Sequence, residues 1–446
     1  MSQISSDSNP SREGHQIVQI GPEKLAIPKE WTVTTIDEVA SRFISGGTPD
    51  SDNEDYWGGS IPWTTCAVVE GPQFDGEKDF ITKKGLESSS ASLVPEGSIL
   101  FGTRVNVANV GRTTKEIAIS QDLTGIVLDE ERVDPDFVTW YLLFNQSKIR
   151  DRYSQGSTIQ GMITSDLKSL PLLLPPLSEQ RRIVEVLSKI EEQIQQTNKI
   201  IDRTEDIERG LLNDFIPRGI SEQGKLRPSP NSNPGLYDEV RRCKIPSGWE
   251  VSSLQELCQE DVTYGIVQAG PHVEDGIPYI KTGDMTDGEL KLEGLSRTSS
   301  EIAEDYSRSE IREGELVIAI RATVGVVHQV PPELDGGNLT QGTARISPDD
   351  SIDNRYLLWA IRSNVVQSLI DARTKGSTFN EITLGALRKV PIPHPTSLKE
   401  QKKITERLDS ASKKLDEERS YMRELKNVKR GLMQDLLTGK VRVNPE

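Results

Sequence analysis

The chain reads as an α+β protein made twice: two similar mixed α/β modules separated by two long antiparallel coiled-coil helices, a tandem duplication with pseudo-two-fold symmetry. Three observations predict this. First, segments recur at a shift of about 215 to 221 residues. IPKEW at Ile27 returns as IPSGW at Ile245, IPW at Ile61 as IPY at Ile277, and VPEGSILFGTR, ending at Arg104, as IREGELVIAIR, ending at Arg321. WYLL at Trp140 is echoed by RYLLWA at Arg355, GST at Gly156 by GST at Gly376, and GLLNDFI at Gly210 by GLMQDLL at Gly431. So long a period marks a duplicated module rather than a solenoid unit of about 20–50 residues. Second, each copy ends in a stretch whose apolar residues alternate at four and three, the spacing of a heptad seam. Third, the region before each such stretch consists of short apolar runs broken by Gly, Pro, Asp and Asn, which reads as mixed α and β.

In chain order, residues 1–20 are polar, lack the apolar core of a signal peptide and are expected to form a disordered arm. Residues 21–175 form the first head. The first helix, 176–216, follows the Pro-rich turn PPLSEQ and carries the stripe Ile183, Leu187, Ile190, Ile194, Ile201, Ile207 and Leu211. The segment 217–240, rich in Pro, Gly, Ser and Asn, reads as a flexible linker. Residues 241–395 form the second head. The second helix, 396–438, carries Ile404, Leu408, Ala411, Leu415, Met422, Leu425, Val428 and Leu432, and residues 439–446 are a tail. Ser397 and Glu400 fit a capping box at its start. Matching stripe length and phase make each helix the simplest partner of the other. The connectivity then makes them antiparallel, with the heads at opposite ends of a spacer on the order of 50 Å. Half-sites one DNA turn apart lie about 34–36 Å from each other, within the span of such a rod.

The 446 residues are 34% hydrophobic and 27% charged, which suits several modest cores joined by exposed helices. No apolar run approaches the roughly 18–20 residues that would cross a membrane, so a cytoplasmic protein is expected. Three cysteines (Cys66, Cys243, Cys258) and four histidines (His15, His272, His328, His394) are scattered, without the close spacing of a zinc site or a disulfide framework. The sequence has no GxxxxGK[ST] loop, HExxH, GxSxG or GxGxxG, and no Asn- or Asp-Pro-Pro-aromatic segment that would hold a flipped adenine. These absences favour a chain that does no catalysis and holds no metal or cofactor.

The net charge of −16 speaks against nucleic acid, because phosphate contacts need Lys and Arg. Residues 1–170 carry 15 basic and 25 acidic side chains, and residues 216–396 carry 19 and 26, whereas 397–437 carry 11 and 8. Both heads are therefore acidic overall, and any DNA contact must come from local basic patches.

The ordered, doubled set of motifs resembles the specificity subunit of type I restriction-modification systems. It is carried by LSEQRRI from Leu177 and LKEQKKI from Leu398, each after a Pro-rich turn. The GST segments, SGGTP at Ser45 and the IPW and IPY segments complete it, over nearly the whole chain apart from about 20 N-terminal residues. The resemblance implies that each head is a target-recognition domain reading one half of a split double-stranded DNA sequence, and that the helices fix the gap. It further implies docking of two methyltransferase subunits that bind S-adenosylmethionine and methylate adenine. Where the system carries them, two restriction–translocase subunits using ATP and Mg2+ would join. Glu179 and Gln180 stay open between a helix cap, a partner surface, or both.

Base readout favours Arg, Lys, Asn and Gln, while phosphates take Lys, Arg, Ser and Thr. The DNA-binding candidates are Thr48, Lys83, Lys84, Arg104, Arg112, Gln121 and Thr158 in the first head. In the second they are Lys281, Arg297, Arg321, Arg345, Lys375 and Thr378. Arg104 and Arg321 lead, since each follows a strand-like run at a matched place in the repeat. The heads differ at most other positions, which implies an asymmetric bipartite target. The competing reading is a two-headed coiled-coil adaptor between proteins that binds no DNA; a methyltransferase or nuclease with unrecognised motifs ranks behind both.

Overall fold

The computed structural model describes residues 14–20, 23–153, 161–240, 243–286, 288–376 and 380–443. The chain divides into two compact units, one formed by residues 1–198 with 421–446 and the other by 199–420. The division cuts both long helices, Leu177–Arg218 and Leu398–Leu436, in mid-length.

The first unit holds a five-stranded sheet in the order Ala40–Ser45, Leu123–Leu128, Ile99–Gly102, Val110–Thr113, Gln73–Phe74. Beside it is a four-stranded sheet in the order Asp79–Ile81, Trp57–Thr64, Ile117–Ile119, Ser92–Val94. The apolar runs at 99–102 and 117–119 are fully buried, as continuous rather than alternating hydrophobic strands should be. The helix Pro135–Tyr153 buries Phe137, Val138, Trp140 and Leu142 in the same core as Ile99, Phe101 and Ile126. The second unit repeats the plan with a four-stranded sheet, Thr263–Tyr264, Thr343–Ile346, Leu316–Ala319, Val327–Gln329, and a three-stranded one, Ser296–Thr298, Ile277–Ile280, Asn338–Leu339. Here two helices, Asn354–Arg362 and Asn364–Asp371, stand where the first unit has one.

In each unit the two helix segments run antiparallel. In the first, Ile183 and Leu187 share a core with Leu436 and Leu437, and Glu191 pairs with Lys429 at 2.6 Å. In the second, Leu212, Phe215 and Ile216 share a core with Ile404 and Leu408, and Glu205 pairs with Arg419 at 2.8 Å. Of the seam residues, Ile183, Leu187, Ile190, Ile194, Ile404, Leu408, Leu415, Met422 and Leu425 are buried, and Ile201 is half-buried. Ile207 and Val428 are not on the seam: they are 57% and 51% exposed. The sequence stripe stepped six residues from Ile201 to Ile207, whereas a heptad steps seven. The seam therefore admits Glu208, whose carboxyl is raised by burial, and Lys429.

Three further expectations are corrected. His15–Ile20, assigned to a disordered arm, is a strand paired antiparallel with Glu23–Pro28; residues 1–13 lie outside the described residues. The presumed flexible linker is tied down at several points: the Tyr237 hydroxyl donates to the Pro228 carbonyl, and Arg227 pairs with Glu400. Its Pro, Gly and Asn residues are turn chemistry, which composition alone does not separate from flexibility. Glu400 does not close a capping box, because its carboxylate is spent on Arg227, Trp249 and the Ile220 N–H.

That carboxylate belongs to a pair of matched constellations around the two Glu-Gln motifs. Glu179, 1% exposed, accepts from the Trp31 indole at 3.1 Å and from Arg442 at 2.6 and 2.8 Å. Glu400 accepts from the Trp249 indole at 3.3 Å and from Arg227 at 2.5 and 3.1 Å. Gln180 accepts from the backbone N–H of Asp134 at 2.8 Å and donates to the Pro175 carbonyl at 2.8 Å. Gln401 repeats both bonds with Asp353 at 2.7 Å and Pro395 at 2.8 Å. Asp134 and Asp353 in turn cap the helices that follow them, accepting from Phe137 and Tyr356 N–H. The Glu-Gln pairs thus tie head to helix inside each unit, and no capping role for their own helix remains.

Candidate nucleic-acid interface

At one end of each large sheet the two units place the same loops together. Strand Ile99–Gly102 runs out into Thr103-Arg104, and Thr103 N–H donates to the Asp122 carbonyl at 2.9 Å. Strand Leu316–Ala319 runs out into Ile320-Arg321, and Ile320 N–H donates to Gly342 at 2.9 Å. The SGGTP loop crosses beside them: Gly47 N–H donates to the Ile119 carbonyl, and in the second unit Ile266 N–H donates to Leu339. A Cβ on Gly46 would lie 2.2 Å from the Ile119 carbonyl, and one on Gly265 would lie 2.0 Å from that of Leu339. Only glycine permits that approach. The segment after each GST closes the cluster, with Met162 N–H donating to Thr103 at 2.6 Å and Ile382 N–H to Ile320 at 3.0 Å.

Arg104 is exposed, and its side chain has no hydrogen bond or ion pair among the described residues. Thr48 and Gln121 are exposed beside it and hydrogen-bond to each other at 2.5 Å. Arg321 is half-exposed and pairs with Glu381 at 3.1 Å, an exposed pair of the kind worth about 0–1 kcal/mol. The Lys375 backbone exchanges both hydrogen bonds with Glu381, which brings Lys375 alongside Arg321. The chain just after each arginine is bent into the left-handed region, at Asn106 (φ 51°) and Ala108 (φ 66°) in one unit and Ala322 (φ 58°) in the other. Such non-glycine conformations persist where surrounding structure over-determines them, commonly at functional sites.

The remaining candidates divide. Lys281 is exposed and donates to the Ser296 hydroxyl at 2.8 Å. Lys83 and Lys84 lie on the short helix Lys83–Glu87, where Lys84 is tied to Asp55 at 2.6 Å and Lys83 faces Glu87 at 3.6 Å. Arg297 spends its guanidinium on the Gly276 carbonyl at 2.8 Å. Two candidates are structural instead. Arg112 donates to the Gly97 carbonyl and bridges both Asp136 oxygens at 3.0 Å. At the matched ladder position, Gln329 donates to the equivalent Gly314 carbonyl. Arg345 is 4% exposed and locked between Glu315 and Glu260 at 2.6 and 2.7 Å. Thr158 and Thr378 lie outside the described residues.

Sequence reasoning named Lys375 but passed over the other basic residues just before each GST. Lys148, Arg150 and Arg152 are exposed at the end of the helix Pro135–Tyr153, and Arg150 reaches the Val107 carbonyl at 3.2 Å, beside the Arg104 loop. In the second unit Arg373 and Lys375 occupy the matching stretch. The signal was visible as KIRDRY and ARTK, each preceding GST. These patches place positive charge locally on heads that are acidic overall.

Among the described residues no side-chain cluster suits a metal ion, and no helix is long and apolar enough to cross a membrane. Cys66 and Cys258 are free, and burial pushes both thiols up to about 12, which makes them poor nucleophiles.

The type I restriction modification DNA specificity domain matches this chain twice, over residues 28–206 and 246–426. The chain is 22% identical over 434 residues to the type I restriction enzyme MjaVIII specificity subunit of Methanocaldococcus jannaschii, covering 94% of this chain and 95% of that one. It is 28% identical over 258 residues to the EcoBI specificity subunit of Escherichia coli, covering 56% and 53%. Its fold matches the type I restriction-modification S subunit from M. genitalium with a TM-score of 0.59 at 18% identity, over 91% and 96% of the two chains. The duplicated modules, their paired helices and these matches together place the chain in the type I restriction-modification DNA specificity family.

Proposed function

We propose that this chain is the sequence-reading subunit of a type I restriction-modification complex, in which each head reads one half of an asymmetric, split double-stranded DNA target and the paired helices fix the gap. The observation that carries the reading is the repeated cluster at the sheet end: the same loops, the same leading arginine, and different neighbours. Gln121 and Gln341 hold the same place in the two units, but Arg104 stands with Thr48, where the second unit has Val267, while Arg321 stands with Lys375 and Lys281. Matched scaffolds with unmatched base-facing groups suit two different half-sites.

Catalysis is assigned to partners: methyltransferase subunits carrying S-adenosylmethionine and, where present, restriction subunits using ATP and Mg2+. Two copies of the methyltransferase are supported by the helices. Ile200 and Ile207 are exposed one heptad apart on the first, at 42% and 57%; Tyr421 and Val428 repeat them on the second, at 46% and 51%. Equivalent apolar patches that water should not cover suit two copies of one partner. Those partners also supply phosphate contacts that the acidic heads lack.

Insertion of one heptad into the first helix alone tests the ruler. Methyl transfer by the reconstituted complex onto a randomised DNA library is expected to be lost or to shift to a different gap; an unchanged gap with full activity overturns the reading.

A further inference from the structure

The segment that closes each head comes from the far end of the chain's duplication. Arg442 lies past the second helix, yet it clamps Glu179 at the start of the first and also meets Glu30 at 2.8 Å, next to Trp31 of the first head. Arg227 lies past the first helix, yet it clamps Glu400 at the start of the second, beside Trp249 of the second head. Each arginine is delivered the same way. The helix ends, a glycine in the left-handed region turns the chain back (Gly219 at φ 61°, Gly439 at φ 73°), and the arginine follows. A Cβ on Gly219 would fall 2.3 Å from Arg227 and 2.5 Å from Trp249, and one on Gly439 would fall 2.5 Å from Pro28. The turn and the clamp are therefore one packed device.

The clamped tryptophans are large core side chains. Trp31 is 0% exposed and packs with Ile27, Ile36 and Leu172; Trp249 is 6% exposed and stacks edge-on against Tyr356. Each indole N–H needs a buried acceptor, and the glutamate supplies it. Glu179 is buried and Glu400 is largely so, with 16% of its side chain exposed, and a carboxylate taken out of water needs its arginine, because an unpaired buried charge is far more costly than a paired one. The chain indole–carboxylate–guanidinium thus makes each head's seating depend on a residue that follows the other head's helix.

We infer that Arg442 and Arg227 are positioning residues for DNA reading and act crosswise: Arg442, at the C-terminal end of the chain, holds the first head in its reading orientation, and Arg227, between the heads, holds the second. This rests on the reading of the heads as half-site readers.

The test uses the full chain in complex with its methyltransferase partner. Which half-site belongs to which head is fixed first by crosslinking the wild-type complex to DNA carrying photoreactive bases in one half or the other; failure to crosslink either half would count against the DNA reading itself, not the clamp. Discrimination against a base change is then measured in each half. Arg442→Ala is expected to lose roughly tenfold or more in discrimination at the first head's half-site and to leave the other half unchanged, with Arg227→Ala doing the reverse. Arg442→Lys and Arg227→Lys, which keep charge but lose the bidentate fork, are expected to fall between. Hydrogen exchange keeps the test informative if a variant folds poorly: Arg442→Ala should speed exchange around Trp31 and residues 171–174 and not around Trp249. Loss at the same half for both variants, equal loss at both halves, or no loss at either half overturns the inference.

Discussion

The two heads share a scaffold and differ in how its centre is filled. In the first, Leu100 pairs across the sheet with Gly125; in the second, the matched pair is Val317 with Arg345. The residue before the strand is Ser98 in one and Glu315 in the other. The first head buries a glycine under Val94, and the Ser98 hydroxyl has no hydrogen-bond partner among the described residues. The second buries an ion pair, with Glu315 7% exposed on its side chain. The outer cluster around Arg104 and Arg321 is nonetheless held at the same place. A core can thus diverge while the outer cluster keeps its position, and on the proposed reading only an arginine that no buried carboxylate has claimed is available to DNA.

Breaking that difference gives the largest expected effect. Arg345→Ala leaves Glu315 buried and unpaired, and should cost about 3–5 kcal/mol, seen in chemical denaturation of the full chain. Replacing both partners, Arg345→Met with Glu315→Leu, should recover most of the loss. An equal loss in the double variant would mean that the pair does more than fill the core.

The reading edges should respond less, and in DNA discrimination rather than stability. Arg104→Ala should cost about 1–3 kcal/mol at one half-site and Arg321→Ala a similar amount at the other, measured as binding of the complex to single-substitution DNA. Loss spread over both halves would make these arginines structural.

The smallest effect is pH dependence confined to the second head. Burial, first of all, lowers the His394 pKa below its usual 6.5. The unfolded chain then takes up a proton that the folded head resists. Stability is present above pH 6.5 and is lost as the pH falls through that value. The matched position of the first head, by the 221-residue offset of the helices, is Leu173, so its stability should not show this step. Local hydrogen exchange at pH 7.5 and 5.5 separates the two heads.

Much of this was legible in the sequence. The duplication, the paired helices and the matched placement of Arg104 and Arg321 after equivalent strands follow from spacing, because helical period and repeat offset are one-dimensional facts. Which arginines were free was not legible. Arg112 and Arg345 look like Arg104 until the sheet brings Asp136 and Glu315 beside them. The clamps were equally hidden, since Glu179 and Arg442 are 263 residues apart. Ile207 misled because an isoleucine was weighed above the heptad phase, which put Glu208 inward.

The central claim is that two different heads read two different halves of one target. Co-expression with the methyltransferase, followed by single-molecule sequencing of host DNA for methyladenine, tests it most directly. The account predicts one motif of two dissimilar blocks separated by a constant gap. A contiguous motif, two identical blocks, or no methylation in the presence of a demonstrably active partner would contradict it.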